Sequence, residues 1–421
     1  MINIKLDNRT LKTVCIVCIA FVLVFAVLTA ILAVHLSNKR NNVEEAKPHI
    51  EDVAGVWIAS ISNINFPSEK GLSEKQLKGE IDKIVETVYS TGLNTIFFQV
   101  RPSSDSLYKS DIFPVSEYLS EDGKLPLDCL DYMIKAAAKK GIAVHAWVNP
   151  LRAAVGGSVE DLQVGSPASK NHDWCVKYAD GKIYYDCGLP EVREMIAAGV
   201  REIVENYDVA GVVFDDYFYP YPSYTTDDDG NKSIAEFEDK KTFKKYGTEF
   251  DDVGDWRRDN VNRLVKLCYD TVKEIKEDCY FGVSPFGIWK NGYGDESGSA
   301  TKGAQSYFDI YCDTLAWVEG GYVDYIAPQL YWTAESTAAS YTALTEWWAQ
   351  SLTGTEVPLL ISHGAYRYSE WEFPSGIMTS QVNNAKMYEV YEGSLFYGYN
   401  EIADNTYGIA EELKKMYKTE E

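Results

Sequence analysis

The chain has 421 residues, of which 46% are hydrophobic and 13% aromatic, enough apolar material for one large domain or two ordinary ones and too much for a disordered chain. Its 63 acidic residues against 40 basic ones leave a formal net charge of −23, and with no basic patch to overcome that field a nucleic-acid partner is disfavoured. The 30 Tyr and 10 Trp exceed what packing asks for, and rings in such excess suit the faces of sugars.

Lys5, Arg9 and Lys12 precede an apolar run from Val14 to Leu36, polar only at Thr29 and His35. As a helix rising about 1.5 Å per residue, this run crosses a hydrocarbon core of roughly 30 Å. Lys39 and Arg40 behind it are soon joined by Glu44 and Glu45, so the positive-inside rule places the N-terminus in the cytoplasm. The expectation is a cytoplasmic tail at residues 1–13, a single-pass membrane anchor at 14–36, a linker at 37–50 and an extracytoplasmic remainder at 51–421. A cleaved signal peptide, leaving a secreted protein, is the alternative. Six cysteines beyond the apolar run (129, 175, 187, 268, 279 and 312) show neither CxxC nor metal-ligand spacing. They read as buried free thiols, and no metal or cofactor is expected.

From residue 51 onward short β-branched or aromatic runs alternate with longer amphipathic patterns. The strands are expected at 56–60, 95–100, 143–148, 211–215, 280–284, 325–328, 358–362 and 394–398. Helices are expected at 74–89, opened by a Ser73/Gln76 capping box, and at 129–139, 190–206, 259–277, 307–319, 341–351, 381–391 and 409–417. Eight strands each followed by a helix define an α/β fold, a single (β/α)8 TIM-type barrel. An open doubly wound sheet is the alternative, but neither GxGxxG nor GxxxxGK[ST] follows any strand. Three long connections, near 151–189, 217–256 and 286–306, would wall a cleft on the C-terminal face.

The polar residues at the strand ends carry the chemistry. The fourth strand closes on Asp215 and Asp216, followed by Tyr217, Phe218 and Tyr219. Period-two alternation puts Val213 and Asp215 on one face and Val212 and Phe214 on the other, which selects Asp215 for the barrel mouth and leaves Asp216 to orient it. By the same alternation Gln99 and Arg101 share a face on the second strand, His145, Trp147 and Asn149 on the third, and Gln329 and Tyr331 on the sixth, beside Trp332. Each has a structural reading: His145 as a core histidine, Asn149-Pro150 as a turn, Arg101 as the ion-pair partner of Asp215. Their recurrence at one end of several strands points to a carboxylate-based glycosidase acting on a polysaccharide.

With these motifs the chain resembles a bacterial cell-envelope family of glycosyl-hydrolase-like barrels, long carried as a domain of unknown function. The resemblance covers nearly all of the extracytoplasmic part. It rests on Gly55-Val56-Trp57, Phe97 to Pro102, Val144 to Pro150 with Arg152, Asp186 in a Tyr-Asp-Cys-Gly-Leu-Pro turn, and Phe214 to Tyr219. Asp255 to Arg258, Phe281 to Pro285 with Trp289, and Asp324 to Trp332 complete it. The resemblance implies cleavage of peptide-free peptidoglycan glycan strands, with Asp186 joining Asp215 and Asp216 as candidate catalytic carboxylates. Arg152, Tyr217 and Trp289 join the candidate substrate-binding residues.

Strand seven offers no carboxylate, so the scheme with glutamates on strands four and seven is not available. Two schemes stay open. In one, Asp215 or Asp216 pairs with a loop carboxylate such as Asp186 or Glu335. In the other, an Asp orients the N-acetyl group of the sugar as nucleophile, with Tyr331 bonding to it. A glycosidase of another polymer, such as an exopolysaccharide, and a non-catalytic glycan-binding barrel remain as alternatives.

Overall fold

The computed structural model describes residues 50–226, 230–292, 297–371 and 373–418. The chain divides into two units, 1–45 and 46–421, and the second carries all of the described elements. The expected anchor at 14–36 lies outside the described residues, among which no helix is long and apolar enough to cross a membrane.

Eight parallel strands close into a barrel: β1 (Val53–Ile58), β2 (Thr95–Arg101), β3 (Ala143–Val148), β4 (Gly211–Phe214), β5 (Tyr280–Val283), β6 (Tyr325–Ile326), β7 (Leu359–Gly364) and β8 (Tyr391–Tyr397). The ring is sealed by the pairing of β1 with β8. All eight expected strands are present, so the open-sheet alternative is excluded. The longer helices that cover the strands are α1 (Glu74–Ser90), α2 (Cys129–Ala138), α3 (Pro190–Asn206), α4 (Val253–Ile275), α5 (Thr314–Glu319), α6 (Tyr341–Leu352), α7 (Ile377–Ala385) and α8 (Ile409–Tyr417). The Ser73/Gln76 box opens α1, with the Ser73 amide donating to Gln76 Oε1 at 3.1 Å. All six cysteines beyond the apolar run are free, and all but the half-buried Cys175 are buried.

Three local expectations are corrected. The helix expected at 307–319 is split, because Tyr311 adopts a left-handed φ of 54° that breaks the hydrogen-bond ladder before α5 begins. The seventh helix lies earlier than 381–391, where Met378, Val382 and Ala385 supply its buried face; β8 has already started at Tyr391. β6 is shorter than expected because Pro328 has no N–H for the ladder, and the sheet resumes as isolated bridges through Gln329 to Phe286 and Ser362.

Alternation divides the barrel into two packed regions. Outward residues such as Ile96, Phe98, Val144, Val212 and Phe214 pack beneath the helices, with Ile84, Val88, Ile196 and Val200 among those facing them. Inward residues, including Trp57, Phe97, Trp147, Val213, Tyr325 and Leu395, fill the interior. Two interior glycines are needed because large rings from neighbouring strands lie across them. A Cβ on Gly211 would stand 2.5 Å from His145 Nδ1, and one on Gly282 would stand 2.2 Å from the Tyr325 ring.

The long connections carry small sheets of their own, which alternation did not reveal. The one after β3 folds as a three-stranded antiparallel sheet (Arg152–Ala154, Cys175–Lys177, Ile183–Tyr185), and the one after β4 contains a hairpin (Tyr224–Thr226, Lys232–Ile234). Replacing Gly282 by Ala is expected to lower stability by about 1–3 kcal/mol, the usual effect of overpacking a filled interior. Urea unfolding checks this; a change within about 0.5 kcal/mol, as for a surface site, would show that Tyr325 has room to move.

Candidate active site

The C-terminal mouth of the barrel holds a cavity of about 290 Å³. Asp215 and Asp216 form one side, at the end of β4, and each is only 4% exposed. The wall is otherwise mainly aromatic: Trp57 and Trp147 from the barrel interior, Tyr217 and Tyr221 after β4, and Tyr331, Tyr366 and Tyr397 opposite. Ser284, Phe286 and Gln329 complete the lining. Among the described residues, no other carboxylate lines this cavity.

Strand geometry turns the two carboxylates to different partners. Asp215 continues the inward face of β4, and its Oδ2 accepts from Trp147 Nε1 at 2.9 Å and Asn149 Nδ2 at 3.1 Å, both from the β3 side. Its Oδ1 accepts from the Tyr217 amide at 3.3 Å. Asp216 faces the other way: Oδ1 accepts from Gln329 Nε2 at 3.0 Å and Oδ2 from the Tyr221 hydroxyl. Gln329 is fixed by also donating to the Ser284 carbonyl at 3.1 Å. Every one of these donors is neutral, and neither aspartate makes an ion pair among the described residues.

Burial therefore dominates their titration. It pushes the Asp215 carboxyl up to about 6, opposed by the Arg152 guanidinium and reinforced by Asp216. Burial also raises Asp216, against the hydrogen bonds from Tyr221 and Gln329. Across the cavity the Tyr331 hydroxyl lies 3.0 Å from Ser362 Oγ, which accepts from Trp57 Nε1 at 3.0 Å. With that bond accepted, Ser362 can donate its own proton to Tyr331, which frees the tyrosine proton for a ligand. The Tyr331 and Tyr397 rings are nearly parallel, 12° apart with centroids separated by 6.0 Å.

Of the fourteen residues singled out in the sequence, Asp215, Asp216, Trp147, Tyr217, Gln329 and Tyr331 meet in this cavity. Asn149 lies behind it, holding Asp215. The others are placed elsewhere. His145 sits in the barrel interior, its Nδ1 3.0 Å from the Tyr325 hydroxyl, and burial pushes it down to about 3. Gln99 uses its Oε1 to take the amides of Ser60 and Ile61, pinning the turn after β1.

Arg101 donates to the carbonyls of Asn149 and Pro150 and lies over the Phe113 ring, so it is not the ion-pair partner of Asp215. Arg152 donates to the Pro102 carbonyl and covers the Tyr217 ring, acting on the pair through its field. Asp186 accepts from the Gly188 amide and Thr242 away from the cavity; burial raises it to about 6. Trp289 stacks on Trp347, and Trp332 packs edge-on behind Phe286. Glu335 borders a different pocket, with Tyr341 and Gln381.

Alternation along β1, β5 and β8 would have added Trp57, Ser284 and Tyr397. Tyr221, Phe286 and Tyr366 come from connections without periodicity and had no such signal.

A parallel eight-stranded barrel whose C-terminal mouth holds a carboxylate pair in an aromatic-walled cavity is the architecture of a glycoside hydrolase. The family model described as glycosyl hydrolase-like 10 matches residues 52–372, and the chain belongs to that family. It is 38% identical over 374 residues to glycosyl hydrolase YngK of Bacillus subtilis (strain 168), covering 86% of this chain and 71% of the relative. It is 36% identical over 339 residues to glycosyl hydrolase DigH of Escherichia coli K12, covering 76% and 74%.

Among solved structures, the catalytic domain of beta-amylase from Paenibacillus polymyxa superposes with a TM-score of 0.54 at 12% identity, covering 88% of this chain and 100% of that one. The glycoside hydrolase domain of PgaB (BpsB) from Bordetella bronchiseptica gives 0.52 at 11% identity, with 88% and 99% coverage. At these identities the likeness is one of fold.

The raised Asp215 has a consequence for stability. Its folded pKa of about 6 exceeds that of an unfolded aspartate, so the folded state takes up the proton first and the ionised group opposes folding above that pH. Asp215→Asn is expected to gain stability over the wild type at neutral pH, on the order of 1–3 kcal/mol. The difference should shrink as pH falls from about 6 towards 4. Melting curves of both proteins across that range test this; a pH-independent difference would mean that Asp215 is not raised.

Proposed function

We propose that this glycoside hydrolase cuts N-acetylated cell-wall glycan, namely peptide-free peptidoglycan strands, with Asp215 and Asp216 as the reacting pair and the sugar's own acetamido group as nucleophile. The observation that carries the reading is that two adjacent aspartates are the only carboxylates lining the cavity among the described residues. A retaining mechanism with an enzyme nucleophile needs a second carboxylate facing the first across the sugar, and the loop candidates Asp186 and Glu335 both lie elsewhere.

The division of labour follows from the hydrogen bonds. Both oxygens of Asp216 accept side-chain bonds, from Gln329 and Tyr221, which offset part of the burial that raises it; this group orients the acetamido N–H and balances the positive charge that develops there. On Asp215 both side-chain donors converge on Oδ2. Oδ1 is left to carry the proton given to the leaving oxygen as the glycosidic C–O bond breaks, and to take one back from the water that opens the cyclised intermediate. Tyr331, relieved by Ser362, donates towards the acetamido region. The aromatic walls favour a sugar ring and exclude water.

We further propose that residues 14–36 anchor the protein in the membrane with the barrel outside, where such a polymer lies. Protease treatment of intact cells should remove the barrel, and its full protection would contradict that placement.

Two measurements test the chemistry. The full-length protein should release oligosaccharides from denuded glycan strands and fewer from peptide-bearing ones, identified by mass; release from neither would reject this substrate. Asp215→Asn should lose roughly 10²–10⁴-fold in rate on unactivated glycan. The loss in kcat/KM should largely vanish on an aryl glycoside, whose leaving group needs no proton. If Asp216→Asn shows that rescue instead, the two roles are exchanged.

A further inference from the structure

The segment Tyr217–Pro222 is a wall with two faces. Tyr217 and Tyr221 face the catalytic cavity. Tyr219, Pro220 and Pro222 line a second pocket of about 150 Å³ on the other side. Six residues span at most ~20 Å even when extended, so the two pockets are separated by no more than a short glycan could bridge. Two of the long connections contribute to the second pocket, with Tyr178 from the first and Ile234 and Phe237 from the second, and Phe308 and Tyr311 join them from the stretch just before α5.

The polar groups beneath are arranged for a neutral ligand. The Arg257 guanidinium is held by the Asp239 carboxylate, through Nε at 2.8 Å and Nη2 at 2.6 Å, so its charge is already matched and does not call for an anion. Arg257 Nη1 donates to the Tyr311 hydroxyl at 2.8 Å, which leaves the tyrosine proton free to be given to a ligand. Asp309, half-buried in the same lining, accepts the Gln305 amide on Oδ2 at 2.7 Å and presents Oδ1 as an acceptor. At the rim two large apolar side chains stay in solvent, Ile234 at 58% exposure and Phe308 at 49%. Tyr224, the cross-strand partner of Ile234, is 66% exposed. Apolar side chains gathered at the edge of a pocket mark a binding surface.

Aromatic faces with one donor and one acceptor match a pyranose, which has apolar C–H faces and a rim of hydroxyls. We propose that this pocket is a second sugar subsite, gripping a remote residue of the strand being cut at the mouth. The proposal rests on the glycosidase reading, because the shared wall is what makes one polymer the common ligand. Binding there adds affinity for long strands that a short substrate cannot use.

The test compares full-length wild type with Ile234→Ser/Phe308→Ser and with Tyr311→Phe, using denuded glycan strands and a disaccharide aryl glycoside; melting curves verify folding. The ratio of kcat/KM on long strands to that on the disaccharide should fall roughly tenfold in the double variant, mainly through KM, and less in Tyr311→Phe. Weaker binding of long strands to the double variant in an Asp215→Asn background, by calorimetry, would support the same conclusion without turnover. An unchanged ratio in both variants, with wild type cutting strands normally, would overturn the subsite and leave the glycosidase reading standing. Failure of wild type to cut or bind any glycan would overturn that reading and the subsite with it.

Discussion

Two neighbouring carboxylates held out of water at the end of one strand are the constraint around which the site is organised. Burying an ionised carboxylate is costly unless hydrogen bonds replace its hydration. Here five neutral donors do so, from Trp147, Asn149 and Tyr217 for Asp215, and from Gln329 and Tyr221 for Asp216. A direct ion pair would have pulled both groups down and fixed them as anions. Neutral donors with Arg152 acting at longer range leave Asp215 near 6, where it can both give and take a proton.

The barrel makes that arrangement possible because three of the donors, Trp147, Asn149 and Gln329, sit on or directly after strand ends. Asn149 receives the Arg152 amide on its Oδ1 and is therefore oriented to give its Nδ2 to Asp215. Arg101 clamps the carbonyls of Asn149 and Pro150 from below. Gln329 is tied to Ser284 on the neighbouring strand end. Arg101 and Asn149 thus act through other groups: strand alternation brought them to the right neighbourhood, and their role there is to hold the residues that reach the cleft.

The fold was legible because its signals are periodic. Eight apolar runs, spaced by amphipathic stretches and without a phosphate-binding turn, admit few other architectures, and inward alternation located Asp215, Trp147, Gln329 and Tyr331. Alternation gives the face of a strand but not the depth along the barrel. His145 and Gln99 share faces with Trp147 and Arg101 yet sit among interior or turn contacts, where Gly211 makes room for the imidazole. Residues on connections carried no depth signal at all, so Asp186, Trp289 and Trp332 were grouped with the mouth, while Tyr221, Phe286 and Tyr366, which do line it, were not. The resemblance helped with the family and could not place those side chains.

On the proposed mechanism, the substrate's acetamido group does the work of an opposed carboxylate, which the cavity lacks among the described residues. The most direct measurement is the anomeric configuration of the first-formed product from an N-acetylated glycan, followed by NMR during hydrolysis, with mass analysis of the protein under turnover. The mechanism predicts retention with no glycosyl adduct on the protein. Inversion, or an adduct on any carboxylate, would contradict it.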